Sequence, residues 1–291
     1  MRFSFRQWGI LVALVLCIML LVFVGFFLAM RGNDRQSGAS SLKTAANISV
    51  VPLDDNEASN FSAPDSAFYN RLSSVVDNVR SRYQGSVGLA LIHVDNPSRS
   101  LVIGDRLVAP AWATLHVPIA LASLHEGADM DKLLNILRET DTEAVVQLYG
   151  NLGEDGADKV ETVLRAGGDL VTSLPANYPR PCNYTSWSLY DQAVWLSHLS
   201  LIKGGDQILD AMTNYSAAET YGLGHVANAR FKSGWGTDFT GAFSVRQFGM
   251  VKTDRGDLAV SFLVHAGDGS FGTAQVMANE LVDQVLAIPG V

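Results

Sequence analysis

The longest hydrophobic segment of the chain lies near its N-terminus. Residues 8–30 form a run of 23 residues without a charged side chain. As a helix rising about 1.5 Å per residue, this run spans roughly 34 Å, which is enough to cross a bilayer. A cleaved signal peptide has a shorter apolar region, of about 7 to 15 residues, with a cleavage site close behind it. The pattern therefore favours a retained signal anchor, with cleavage as the alternative.

The charges around this segment predict its orientation. Arg2 and Arg6 precede it, while Arg31, Asp34 and Arg35 follow it with a lower net charge. By the positive-inside rule the N-terminus is cytoplasmic and the chain is a single-pass protein of the cell membrane, with its C-terminal domain outside. The predicted order is a cytoplasmic tail at 1–7, an anchor at 8–30, a flexible stalk at 31–64 and one folded domain at 65–291.

After the anchor, the spacing of apolar residues predicts which segments form the stalk, the helices and the strands. The stalk is rich in Ser, Asn, Asp, Gly and Ala, and only its apolar stretch at 48–53 is expected to form transient pairing contacts. Apolar residues every three to four positions indicate helices, and strict alternation indicates strands. The predicted elements are a helix at 67–82, a hairpin of 86–94 and 100–103, a mostly helical stretch at 112–211, strands at 241–251 and 258–264, and a helix at 272–287.

Composition and charge exclude several classes of function. The formal net charge is −8, and because the first 35 residues contribute +3, the remainder carries −11. An acidic domain without a basic stripe argues against nucleic acid or anionic lipid as a partner. The six histidines show no metal-chelating spacing, and Cys17 in the apolar run cannot pair with Cys182 outside it. No metal and no other cofactor is predicted.

Residues 110–122 read Pro-Ala-Trp-Ala-Thr-Leu-His-Val-Pro-Ile-Ala-Leu-Ala. This segment resembles the catalytic helix of the serine penicillin-binding proteins and β-lactamases. That helix begins at a Ser-x-x-Lys motif, set in a context like Trp-Ser-Thr-x-Lys-Val-Pro. The resemblance implies that Ala113 stands in place of the acylated serine and His116 in place of the lysine that helps to deprotonate it. On one helix, residues three apart share a face, so both are expected on the floor of the groove.

Two further motifs follow in the order that this superfamily has them. Thr140, Asp141 and Thr142 occupy the place of Ser-Asp-Asn, so the hydroxyl is kept and the asparagine is lost. The segment 231–236, Phe-Lys-Ser-Gly-Trp-Gly, matches the Lys-Thr/Ser-Gly strand that lines the opposite wall of the active site. The resemblance implies Lys232, Ser233, Gly234 and Thr140 as ligand-binding residues.

Each motif also has a simpler interpretation. Thr140 and Asp141 form an ordinary helix cap, since such side chains accept hydrogen bonds from the first free N–H groups. Lys232 could be a solvated lysine of a strand, and Ser233 a polar residue on an exposed face. The order of the three motifs favours the resemblance, which extends over roughly residues 66 to 288.

The resemblance implies a β-lactamase-like α/β (α+β) fold. In it, an antiparallel sheet of N- and C-terminal strands is flanked by helices and lies beside a helical subdomain, with the motifs at the seam. Without a nucleophile at Ala113 we expect a non-catalytic domain that binds a peptidoglycan stem peptide or an envelope or cell-division protein. The region 174–187 also has no acidic residue that could activate a deacylating water. The alternative is a hydrolase with His116 as its general base.

Overall fold

The structure is a computed structural model that describes residues 49–51, 66–176, 178–213, 215–238 and 240–291. The predicted tail at 1–7 and anchor at 8–30 lie outside the described residues, and so does most of the predicted stalk. Among the helices of the described part, none is long and apolar enough to cross a membrane.

A five-stranded antiparallel sheet forms the centre of the domain, with the strand order β3-β2-β7-β6-β5. The N-terminal hairpin therefore pairs with the C-terminal strands, as the resemblance implies. Strands β2, β6 and β7 are buried over nearly their whole length, because both faces of the sheet are covered. The strands are β1 Ser49–Val51, β2 Ser86–His93, β3 Ser100–Gly104, β4 Arg106–Val108, β5 Arg230–Thr237, β6 Phe243–Thr253 and β7 Gly256–His265.

Helices cover the sheet on both faces. The first and last helices, α1 and α8, pack on one face, where their buried residues share a hydrophobic core with Val87, Val245 and Phe262. On the opposite face, Ile92 and Phe248 share a hydrophobic core with the buried residues of the helical subdomain. The helices are α1 Ser66–Arg82, α2 His116–His125, α3 Met130–Glu139, α4 Thr142–Gly150, α5 Gly156–Ala166, α6 Leu189–Ser197, α7 Gly205–Ala211 and α8 Phe271–Leu286.

Local signals in the sequence set several helix starts. The Ser188 hydroxyl accepts a hydrogen bond from the backbone N–H of Asp191 at 3.0 Å, and Ser188 is the N-cap of α6. The sequence carries this signal in the three-residue spacing of Ser188 and Asp191, which is that of a capping pair. Within the predicted stalk, Ser49–Val51 pairs antiparallel with Arg106–Val108 in a separate two-stranded sheet. The mixed α/β architecture, with its antiparallel sheet and helical subdomain, confirms the predicted fold class.

Candidate functional site

The first motif forms a tight turn rather than the start of an α-helix. Residues Trp112–Leu115 are a 3-10 turn, and α2 begins only at His116. Ala113 therefore lies in the 3-10 turn that leads directly into His116, the first residue of α2. Trp112 adopts φ +47°, a left-handed conformation that is unfavourable for a bulky residue. The strained backbone directly precedes Ala113, which carries only a methyl group.

Strand β5 packs closely against this turn through two glycines. A β-carbon at Gly234 would lie 3.1 Å from both the Ala111 carbonyl oxygen and the Ala113 amide nitrogen. At Gly236 it would lie 2.2 Å from the indole nitrogen of Trp112. Gly234 therefore lets the strand approach the turn, and a larger residue would push the two apart.

A buried ion pair lies at the start of β5. The Lys232 ammonium donates to the Glu219 Oε1 atom at 2.8 Å and to the Thr140 hydroxyl at 2.5 Å. Thr140 in turn donates to the same Glu219 oxygen. Lys232 is only 2% exposed and Glu219 only 1%. Burial holds the pKa of Lys232 below its ordinary value, and the charge of Glu219 opposes that shift.

This cluster overturns the interpretation of Lys232 as a solvated lysine and of Ser233 as an exposed polar residue. Ser233 is fully buried, and its hydroxyl accepts a hydrogen bond from the Gln247 amide at 2.8 Å. The two expected walls of the groove, Thr140 on one side and Lys232 on the other, are in contact.

Of the second motif, only Thr140 enters the cluster. Thr140 has φ +53° and ends α3. Asp141 caps α4 by accepting a hydrogen bond from the Ala144 N–H at 3.0 Å, and Thr142 is exposed in the first turn of that helix. The helix-cap interpretation is thus right for Asp141, while Thr140 bonds to residues far away in the sequence.

His116 is buried and neutral. It is 2% exposed, and its Nδ1 atom has no hydrogen-bond partner within the described part of the chain. Burial, and secondarily the charge of Lys232, lower the pKa of His116 to about 3. The imidazole is therefore uncharged at neutral pH. A group with so low a pKa is a poor proton acceptor there, because a general base works best when its pKa is close to the working pH.

Comparison with known proteins identifies this fold. No protein-family model and no curated protein matches the chain. Among solved structures, TLA-3 extended-spectrum β-lactamase is similar at 13% identity, with a TM-score of 0.62 over 75% of this chain and 98% of that one. A variant of the class A β-lactamase of the last common ancestor of Gram-negative bacteria is similar at 16% identity, with a TM-score of 0.59 over 74% of this chain and 97% of that one. The domain has the serine β-lactamase fold.

Within this β-lactamase fold, two charged residues of the site were missed by sequence reasoning. Glu219 lies in the 3-10 turn Ala217–Glu219, 13 positions ahead of its partner Lys232. Its place ahead of the Lys-Ser-Gly strand is a signal in the sequence, but Glu219 lies outside 174–187, the region that the resemblance assigns to an acid. The other is Arg246, an arginine within the alternating apolar pattern of β6.

Arg246 lies beside the ion pair on the sheet. It pairs directly with Gly234, so it shares a face with Lys232 as a diagonal neighbour across two strands. Arg246 is completely buried, and none of its three guanidinium nitrogens has a hydrogen-bond partner among the residues described. Burial lowers the pKa of Arg246 to about 9, which leaves the side chain charged at neutral pH. The β-lactamase-fold site thus contains a cation without a counter-ion in the described part of the chain.

Thr114, the hydroxyl nearest to Ala113 in sequence, is committed to the core. Its hydroxyl donates to the Ala111 carbonyl at 2.5 Å and accepts from the Gln192 amide at 2.9 Å. Gln192 accepts in turn from Ser261 at 2.7 Å. This buried network links the turn, α6 and β7, and it holds Thr114 in a structural position instead of presenting it as a nucleophile.

Proposed function

We propose that the chain is a non-catalytic, membrane-anchored protein whose extracytoplasmic β-lactamase-fold domain binds an envelope protein or a cell-wall peptide. The side chain at position 113 carries this proposal: Ala113 follows the strained Trp112 and has only a methyl group. The nearby Lys232 is buried and paired with Glu219. A serine-type acyl transfer needs a nucleophile at position 113 and a base close to it. Removal of the nucleophile from such a unit costs orders of magnitude in rate.

The alternative, a hydrolase that uses His116 as general base, has less support. A base must reach the proton that it removes, and His116 is 2% exposed. Its pKa of about 3 makes the neutral imidazole a weak acceptor at pH 7. The hydroxyl of Thr114 is engaged in the core, which leaves the base without a partner nucleophile at this turn.

We expect no covalent adduct between a fluorescent penicillin and the full-length protein. Ala113 offers no oxygen for acylation, so labelled membranes should show no band at 31.3 kDa. The matched variant combines Ala113→Ser with His116→Lys and restores the residue pair of the superfamily. We expect at most weak labelling of it, because Thr142 is exposed and Lys232 stays paired with Glu219. Stoichiometric labelling of the wild-type chain would contradict the proposal.

The location of the domain is a proposal that rests on the apolar run at 8–30 and the arginines before it. Alkaline phosphatase fused to the C-terminus should be active, because that enzyme folds only outside the cytoplasm, where its disulfides form. A green fluorescent protein fusion at the same point is the matched control and should be dark. An inactive phosphatase together with a bright fluorescent fusion would reverse the orientation.

A further inference from the structure

The Glu219 carboxylate occupies the place of a ligand in this site. A single oxygen, Oε1, accepts from both the Lys232 ammonium and the Thr140 hydroxyl. A cation and a hydroxyl that converge on one carboxylate oxygen form a charge-assisted anion site. Here the anion comes from the chain itself. Thr140 precedes Glu219 by 79 positions and Lys232 by 92 positions.

The second oxygen of Glu219 shows that the pairing is incomplete. Its Oε2 atom is buried and has no hydrogen-bond partner within the described residues. A buried carboxylate oxygen without a donor is energetically unfavourable, so a side chain selected only for stability would not be expected here. The favourable part of the arrangement is the contact of Oε1 with Lys232 and Thr140.

The turn that carries Glu219 is held firmly in place. A β-carbon at Gly224 would lie 2.0 Å from the Glu219 carbonyl oxygen, so the backbone approaches closely there. Just beyond, the Tyr221 carbonyl accepts from the Gln247 amide at 2.9 Å, and the Gly222 N–H donates to the Asn279 side chain at 2.6 Å. Withdrawal of the Glu219 side chain by movement of the turn would break these contacts.

From this geometry we propose that the site between Lys232 and Thr140 is a carboxylate-binding site occupied in cis by Glu219, so the wild-type chain rejects external carboxylates there. The inference rests on the proposed non-catalytic function and narrows its ligand. A peptide that would bind Lys232 through its free C-terminal carboxylate is excluded as a ligand. An envelope protein that binds elsewhere on the domain is therefore favoured over a stem peptide.

Chemical rescue tests this proposal. Glu219→Ala removes the internal carboxylate and leaves space beside Lys232, so acetate or propionate should bind there and raise the Tm of the full-length variant in detergent. At about tenfold excess over Kd the expected rise is about 3–6 °C. Potassium chloride at equal ionic strength should not reproduce it. Neither the wild-type chain nor the double variant Glu219→Ala with Lys232→Met should respond to acetate.

A peptide ligand provides a second readout. A D-Ala-D-Ala-terminated peptide should bind Glu219→Ala roughly 10- to 150-fold more tightly than its C-terminal amide, as measured by calorimetric titration. The wild-type chain should not distinguish acid from amide. If Glu219→Ala does not fold in chloride, its folding in acetate becomes the readout, and a chain that stays unfolded in both salts contradicts the carboxylate site.

The outcomes separate the two proposals. A Glu219→Ala variant that responds to acetate no more than to chloride overturns the carboxylate site, and so does a wild-type chain that prefers the peptide acid. A rise in the Tm of the double variant in acetate would also overturn the carboxylate site, since Lys232 would then not be the binding cation. Penicillin labelling of the wild-type chain would instead overturn the non-catalytic function and would leave the acetate result standing.

Discussion

The variant Lys232→Met is expected to lose about 3–5 kcal/mol of the free energy of unfolding. Lys232 is 2% exposed, and its ammonium is the cation bound to Glu219. Methionine removes the charge at similar length, so the Glu219 carboxylate would remain buried without a counter-ion. Urea unfolding of the purified chain, followed by far-ultraviolet circular dichroism, measures the loss as a shift of the midpoint at constant slope.

The matched control removes both charges. The double variant Lys232→Met with Glu219→Gln replaces the ion pair by neutral side chains of similar size, which is often neutral or stabilising for a buried pair. It should therefore recover most of the stability lost in Lys232→Met. A single variant within about 1 kcal/mol of wild type would show that the pair is not desolvated in solution.

The variant Arg246→Met is expected to change stability in the opposite direction. Arg246 is fully buried, is charged at neutral pH, and makes no hydrogen bond through its guanidinium to any described residue. The cost of burying an unpaired charge amounts to several kcal/mol. A methionine of similar shape should raise the free energy of unfolding by about 1–4 kcal/mol, which the same urea titration would detect.

Arg246→Lys is the control for this result. It keeps a buried charge in the same position on β6, so it should show no gain in stability. If Arg246→Met instead destabilises the chain by more than about 1 kcal/mol, the guanidinium has a partner in solution, such as a bound anion or an ordered water. A gain would mean that Arg246 costs stability, as residues kept for binding commonly do.

Together, the two variants test the buried basic side chains of the site. Lys232 is neutralised inside the chain, Arg246 is not, and His116 contributes no charge at pH 7 because of its low pKa. The β-lactamase fold brings these groups together under a turn that lacks a nucleophile. Under the non-catalytic function proposed above, the site holds charge in a fixed geometry and does not transfer an acyl group.

Most of the fold was predictable from the sequence because it depends on local signals. The helix over 67–82 and the strands near 241–251 and 258–264 follow from the periodicity of apolar residues, and the observed elements differ from them by one to a few positions. The cap of α6 at Ser188 depends on residues three apart. The order of the three motifs was sufficient to predict the β-lactamase-like fold, although the identity to the solved structures named above is only 13% and 16%.

The sequence alone also determined what the site lacks. An alanine at 113 excludes a serine nucleophile there in any conformation, because chemistry that needs an oxygen cannot be restored by folding. Only the tertiary structure decided where the charges lie. The pairing of Lys232 with Glu219 and Thr140, and the burial of Arg246, depend on elements that are distant in sequence. A charged residue in an apolar strand has the same local pattern whether water or protein surrounds it, and only the packing of the neighbouring elements determines which of the two it meets.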